Sequence, residues 1–104
     1  MKCISVQELN NWRTNEHPHQ LIDIREEHEI DIVHIDGERI KMAEILDNLD
    51  KIKKDIDVII HCRSGARSGA VVLELSRLGY NNVHNLTGGI LAWANEIDLS
   101  LQSY

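Results

Sequence analysis

The stretch Val58-Ile59-Ile60-His61-Cys62-Arg63-Ser64-Gly65-Ala66-Arg67-Ser68 decides how this chain is read. Val58, Ile59 and Ile60 form a short apolar run of β-branched side chains, which suits a strand buried on both faces. From Ser68 onward the pattern changes. Val71, Val72, Leu75 and Leu78 recur at helical spacing, and Gly79 offers a C-cap. A strand that feeds a helix through a short glycine-containing loop is the unit of a parallel α/β sheet. Such sheets place their ligands at the carboxyl ends of the strands.

The flanking sequence repeats the alternation. Lys2 to Ile4 reads as a short first strand, and Ser5 with Glu8 forms a capping box for a helix carrying Val6, Leu9 and Trp12. A loop containing Pro18 leads to the apolar run Leu21-Ile22-Asp23-Ile24, a second strand. Glu26 to Ile30 reads as a short helix and Ile32-Val33-His34-Ile35 as a third strand, turned by Asp36-Gly37. Met42, Ile45, Leu46 and Leu49 predict a further helix. Val83 to Leu86 reads as the last strand, and Thr87-Gly88-Gly89 opens a final helix with Ile90, Leu91 and Trp93. The expected architecture is a three-layer α/β domain. A central, mainly parallel five-stranded sheet is flanked by helices, and residues 1–104 form one domain.

Composition narrows the function classes. The chain is 42% hydrophobic and 27% charged, has no Phe, and builds its core from Ile, Leu and Val. A net charge of −6 argues against nucleic acid or an anionic membrane surface as a partner. The apolar runs are too short to span a bilayer, and the N-terminus turns polar too early for a signal peptide. The expected location is the cytoplasm. Cys3 and Cys62 are then expected to be free thiols, with Cys3 a small apolar residue near the first strand.

Cys62 sits where a thiolate would be stabilised. Unpaired N–H groups at a helix N-terminus favour an anion, and Gly65 lets the loop curl so that they converge. A free thiol has a pKa of about 8.5, and such sites lower it to about 3.5–7.5. Arg63 and Arg67 are expected to add to this effect and to form a local positive pocket on an acidic body. A cysteine after Val-Ile-Ile would on its own read as a buried hydrophobe. The combination of strand, Cys, Arg, Gly, Arg, Ser and helix instead points to a reactive thiolate.

Loop length separates two chemistries. Four residues lie between Cys62 and Arg67. Cys-dependent phosphatases use a loop one residue longer, which fits a tetrahedral phosphoryl group. The tighter loop here suits a single sulfane sulfur carried on Cys62.

At these residues the chain resembles the rhodanese family of single-domain sulfurtransferases. Leu21-Ile22-Asp23-Ile24-Arg25-Glu26 is similar to the family's strand with its Asp and Arg. Ile59 to Ser68 is similar to its active-site loop, and Leu86-Thr87-Gly88-Gly89-Ile90-Leu91-Ala92-Trp93 to its Gly-Gly-x-x-x-Trp signature. The three occur in the family's order. Val33-His34-Ile35-Asp36-Gly37-Glu38 departs from the family's usual Gly-His-Ile-Pro-Gly-Ala.

The resemblance implies that Cys62 takes sulfur from thiosulfate or another small sulfur-donor anion and passes it to a thiol or cyanide, with a protein as a further acceptor. Arg63, Ser64, Gly65, Ala66, Arg67 and Ser68 would bind the donor and the transferred sulfur. Asp23 and Arg25 would support the loop structurally. No cofactor is implied. The six histidines match no common zinc spacing, so no metal is expected. His61 should point away from Cys62 by strand alternation and serve as packed support. Gly88 and Gly89 should allow close backbone approach, and Trp93 should be core. Two other classes use related loops: a Cys-dependent phosphatase or arsenate reductase, and a non-catalytic rhodanese-like binding or regulatory module.

Overall fold

The computed structural model describes all residues, Met1–Tyr104. Five strands, β1 (Cys3–Ile4), β2 (His19–Asp23), β3 (Glu38–Arg39), β4 (Asp57–His61) and β5 (Val83–Leu86), form one sheet in the order β1-β5-β4-β2-β3. All neighbouring pairs are parallel. Four α-helices join them: α1 (Val6–Thr14), α2 (Glu27–Ile32), α3 (Ala66–Arg77) and α4 (Gly89–Glu96). The three-layer parallel α/β reading of the sequence therefore holds.

The central position of β4 follows from its composition. Val58, Ile59 and Ile60 are fully enclosed, with side chains alternating between two cores. Val58 and Ile60 pack with Ile22, Val72 and Leu75 on the α3 side. Ile59 packs with Val6, Leu9, Leu21 and Ile90 on the side of α1 and α4. Trp93 belongs to this second core, as expected. The capping box read from Ser5 and Glu8 is present: the Ser5 hydroxyl accepts from the Glu8 N–H and the Glu8 carboxylate accepts from the Ser5 N–H.

Three local expectations are corrected. The segment Ile32-Val33-His34-Ile35 is not a strand: Ile32 closes α2, and the strand paired with β2 is Glu38–Arg39. Val33 and Ile35 are buried with Leu21 in the α1–α4 core, so their apolar character fills the core rather than building the ladder. Gly37 brings the chain back to the sheet edge, where an added Cβ would lie 2.9 Å from the Leu21 carbonyl oxygen. The helix expected from Met42 to Leu49 is two short 3-10 turns, Met42–Glu44 and Leu46–Lys51, with a break at Asn48. Of its apolar stripe, Ile45 faces inward whereas Met42 and Leu46 are 40% and 57% exposed. Leu78, expected to face inward, is also exposed. Cys3 opens β1 as an exposed free thiol.

The glycine pair Gly88–Gly89, at the start of α4, ties that helix to the end of β4. The N–H groups of Ile90 and Leu91 donate to the carbonyls of Cys62 and Arg63 at 3.0 and 3.1 Å. Gly89 has φ +59°, and an added Cβ would lie 2.4 Å from the Arg63 oxygen. Gly89→Ala must therefore move the Cys62 loop or α4. It is expected to destabilise the fold by about 3 kcal/mol or more in urea unfolding, combining backbone strain and overpacking. A change below about 0.5 kcal/mol, the range of neutral surface substitutions, would contradict this packing.

Candidate active site

Cys62 leaves β4 at the end where β2, β4 and β5 terminate side by side. Ser64 and Gly65 turn the chain, and α3 starts at Ala66. Gly65 adopts φ +106°, a conformation that disfavours any residue with a side chain. This turn wraps the loop around the sulfur. The N–H groups of Gly65 and Ser68 point at Cys62 Sγ from 3.1 and 3.4 Å, and the Ser68 hydroxyl lies at 3.3 Å. Cys62 itself is only 1% exposed. Burial pushes its pKa up, but hydrogen bonds from the Ser68 hydroxyl and the N–H groups of Ser68, Gly65 and Ser64 outweigh it and bring the thiol below its ordinary value.

The arginines are arranged differently from the expectation that both acidify the thiol. Arg67 reaches across to α2 and forms a two-pronged pair with Glu29, both contacts at 2.8 Å. This pairing, against opposing burial, holds the Glu29 carboxyl down at about 2. The Arg67 guanidinium is raised mainly by the same pair, with a smaller contribution from Cys62. Arg63 turns outward to the C-terminal segment. Its Nε donates to the Tyr104 carbonyl at 2.7 Å, and its guanidinium lies 5.1 Å above the Tyr104 ring. Backbone donors and Ser68 are thus the main groups lowering the thiol pKa.

Asp23 and Arg25 lie behind the loop. Arg25 is completely enclosed. Its Nε donates to both Asp23 oxygens at 3.0 and 3.2 Å, and Nη2 donates to Asp23 Oδ2 at 2.7 Å and the Val33 carbonyl at 2.8 Å. Its Nη1 donates to the Tyr104 hydroxyl at 2.8 Å. Burial would raise the Asp23 carboxyl, but the Arg25 hydrogen bonds and the nearby His61 hold it below its usual range. Arg25 thereby joins the end of β2 to the end of α2, the helix that carries Glu29.

His61 is fully buried beside Asp23, 3.7 Å from Oδ2, and neither ring nitrogen has a hydrogen-bond partner. Desolvation pushes its pKa down, so it packs as a neutral ring. His17 and His84, at the opposite end of β4, each contact an Asp57 oxygen at 2.9 Å.

Two members of this constellation escaped the reading of the sequence. Glu29 is Arg67's partner, and nothing in its local sequence marks it. Asn85 on β5 accepts from the Ser68 hydroxyl at 2.5 Å and donates to the Gly65 carbonyl at 3.1 Å. Nothing in the strand Val83–Leu86 marks it out, because both central residues, His84 and Asn85, are polar. On the Arg67 side of the loop, a cleft of about 550 Å³ is lined by Ile24, Glu26, Met42, Ala43, Leu46 and Arg67.

The fold and loop define a parallel α/β protein with a cysteine cradled between a central strand and a helix. The Rhodanese-like domain family matches residues 5–96, and the chain belongs to that family. It is 33% identical to a rhodanese-like domain protein from Staphylococcus aureus, with a TM-score of 0.84 over 100% of this chain and 99% of the other. A protein named sulfurtransferase from Allochromatium vinosum is 47% identical over 75 residues, covering 71% of this chain and 70% of that protein. The probable adenylyltransferase/sulfurtransferase MoeZ of Mycobacterium tuberculosis is 31% identical over 104 aligned residues. That alignment covers 97% of this chain but only 26% of MoeZ.

The buried ionisable groups predict how stability responds to acid. Glu29 has an ordinary value of 4.5 and a folded value of about 2. Its contribution is full above about pH 4.5 and disappears as the pH falls toward 2. His61 acts in a higher window. Its folded pKa lies below 6.5, so beneath that pH the unfolded chain takes up a proton that the fold refuses. Unfolding measured across pH is expected to show stability declining first below about 6.5 and again below about 4.5. Glu29→Gln is expected to weaken the lower stage and leave the upper one. An unchanged lower stage in that variant would contradict the assignment.

Proposed function

We propose that this protein is a rhodanese-type sulfurtransferase acting through a persulfide on Cys62. The observation that carries the reading is the ring of donors around Cys62 Sγ, from the N–H groups of Gly65 and Ser68 and the Ser68 hydroxyl. Such a cradle stabilises a sulfur anion. The names of the Allochromatium vinosum and Mycobacterium tuberculosis relatives support the same class.

In the first step the Cys62 thiolate attacks the outer sulfur of thiosulfate or of a persulfide donor. The donor's S–S bond breaks, and its electron pair leaves with sulfite or a thiolate. A new S–S bond joins the transferred sulfur to Cys62. In the second step a thiol, cyanide or a protein acceptor attacks that outer sulfur, and Cys62 departs as thiolate. Two easier displacements replace one direct transfer. The loop from Arg63 through Ser64, Gly65, Ala66 and Arg67 to Ser68 binds the donor and the outer sulfur. Asp23 and Arg25 hold the ends of β2 and α2 in place behind it. The chain's own groups suffice for both steps. We place the reaction in the cytoplasm, where thiols stay reduced. The phosphatase alternative is disfavoured by the four residues between Cys62 and Arg67, one fewer than the Cys-dependent phosphatases use.

Mass spectrometry of the intact protein after exposure to thiosulfate tests the reading. The wild type is expected to gain one sulfur atom and Cys62→Ser none. No gain on the wild type, or an equal gain on Cys62→Ser, would sink it. Arg67 provides a second check. Loss of a charge-assisted contact to the donor anion predicts that Arg67→Ala raises the thiosulfate KM by about tenfold or more. Glu29→Gln, which breaks the same ion pair but keeps the cation, is not expected to do so. Equal KM effects in the two variants would make Arg67 a structural residue only.

A further inference from the structure

Ser68 has two claimants for one proton. Its hydroxyl lies 3.3 Å from Cys62 Sγ and 2.5 Å from Asn85 Oδ1. The orientation of the Asn85 amide is dictated by its other neighbour. Nδ2 lies 3.1 Å from the Gly65 carbonyl, which can only accept, so the amide nitrogen must face Gly65 and the amide oxygen must face Ser68. Asn85 is buried and sits on β5 opposite Ile60 of β4, directly beneath the loop.

A hydroxyl carries a single proton and two lone pairs. With Cys62 protonated, the S–H donates to Ser68 Oγ and Ser68 donates to Asn85 Oδ1, so all three groups are satisfied. With Cys62 ionised, the sulfur accepts only. Ser68 must then turn its proton from Asn85 to the sulfur, and Asn85 Oδ1 is left as a buried acceptor without a donor, which is costly. The favourable bond to the anion is therefore offset by a bond lost elsewhere.

We propose that Asn85 is a positioning residue for Cys62: it competes with the sulfur for the Ser68 proton and so sets how readily the thiol ionises. Asn85 thus offsets part of the stabilisation that the loop donors give the thiolate. Under the sulfur-transfer reading, this has a direct consequence for loading. Once Cys62 Sγ is bonded to a transferred sulfur it carries neither proton nor charge, and Ser68 returns to Asn85. The loop N–H groups then remain for the outer sulfur. Asn85 thus favours the loaded state over the bare thiolate while anchoring the Gly65 carbonyl.

The consequence for loading rests on that reading, but the proton competition does not, and it is tested without any sulfur donor. The pH dependence of Cys62 alkylation by iodoacetamide reads the thiol pKa directly in the full chain, with a Cys3→Ser background removing the exposed second thiol. Asn85→Ala is expected to lower that pKa by about one unit, a roughly tenfold rise in thiolate fraction below the midpoint. In a Ser68→Ala background the same substitution is expected to leave the pKa unchanged, because the contested proton is gone. An unchanged or raised pKa in Asn85→Ala would overturn the proposal, as would an equal shift with and without Ser68. If Asn85→Ala fails to fold, Asn85→Asp keeps the size and offers Ser68 a stronger acceptor. It is expected to raise the pKa more with Ser68 present than in Ser68→Ala, and equal shifts would overturn the proposal. A failed persulfide assay alongside a successful titration would reject the sulfur-transfer reading and leave the role of Asn85 standing.

Discussion

The loop between β4 and α3 closes on its own sulfur, and the rest of the site depends on that closure. Gly65 takes a left-handed conformation, and its N–H reaches Cys62 Sγ at 3.1 Å. The turn is possible because β4 delivers Cys62 from the centre of the sheet while α3 begins within a few residues. Two rigid elements hold both ends of a very short connection, so the N–H groups are aimed before any ligand arrives. Such preorganised dipoles cost nothing to reorient when charge develops. The carbonyls of the same loop are also occupied: Cys62 and Arg63 accept from α4, and Gly65 accepts from Gly69 and Asn85. The backbone is thus fastened through its oxygens and presents its nitrogens to the sulfur.

Behind and beside the loop runs a chain of charge pairs. Asp23 holds Arg25, Arg25 holds the end of α2 and Tyr104, and α2 carries Glu29, which holds Arg67 on the first turn of α3. Arg25 is fully enclosed, and removing one partner of such a pair strands the other in a low-dielectric interior. This network fixes the relation between α2 and α3 across the mouth of the loop. It also locates Arg67's charge: the guanidinium is held at the rim by Glu29 rather than turned onto the thiol. The positive pocket read from the sequence is therefore real in composition but partly neutralised in geometry.

Strong local signals were legible in the sequence. The apolar run before Cys62, the glycine inside the loop and the periodic helix after it state a parallel α/β unit without help from distant residues. The Ser5–Glu8 capping box is equally local, since both partners lie within one turn. What was not legible depends on contacts between elements. Val33 and Ile35 look like a strand because they are β-branched, yet burial against Leu21 claims them for the core, and the true edge strand is the polar pair Glu38–Arg39. The stripe Met42, Ile45, Leu46 and Leu49 has helical spacing, but the turns break at Asn48. Arg67 was legible as a charge near Cys62, whereas its partner Glu29 lies 38 positions away in the chain. Asn85 was visible only as one of two polar residues in Val83–Leu86, because its meaning comes from the register that sets it under Gly65 and Ser68.

If Cys62 carries sulfur, the donors around it receive the transferred atom. A crystal structure of the protein exposed to thiosulfate addresses this most directly. Electron density is expected for a second sulfur bonded to Cys62 Sγ, directed at the N–H groups of the Ser64–Ser68 loop, with Ser68 hydrogen-bonded to Asn85. An unmodified Cys62 with its loop unchanged, or an intact anion held by Arg67 with no bond to sulfur, would contradict it.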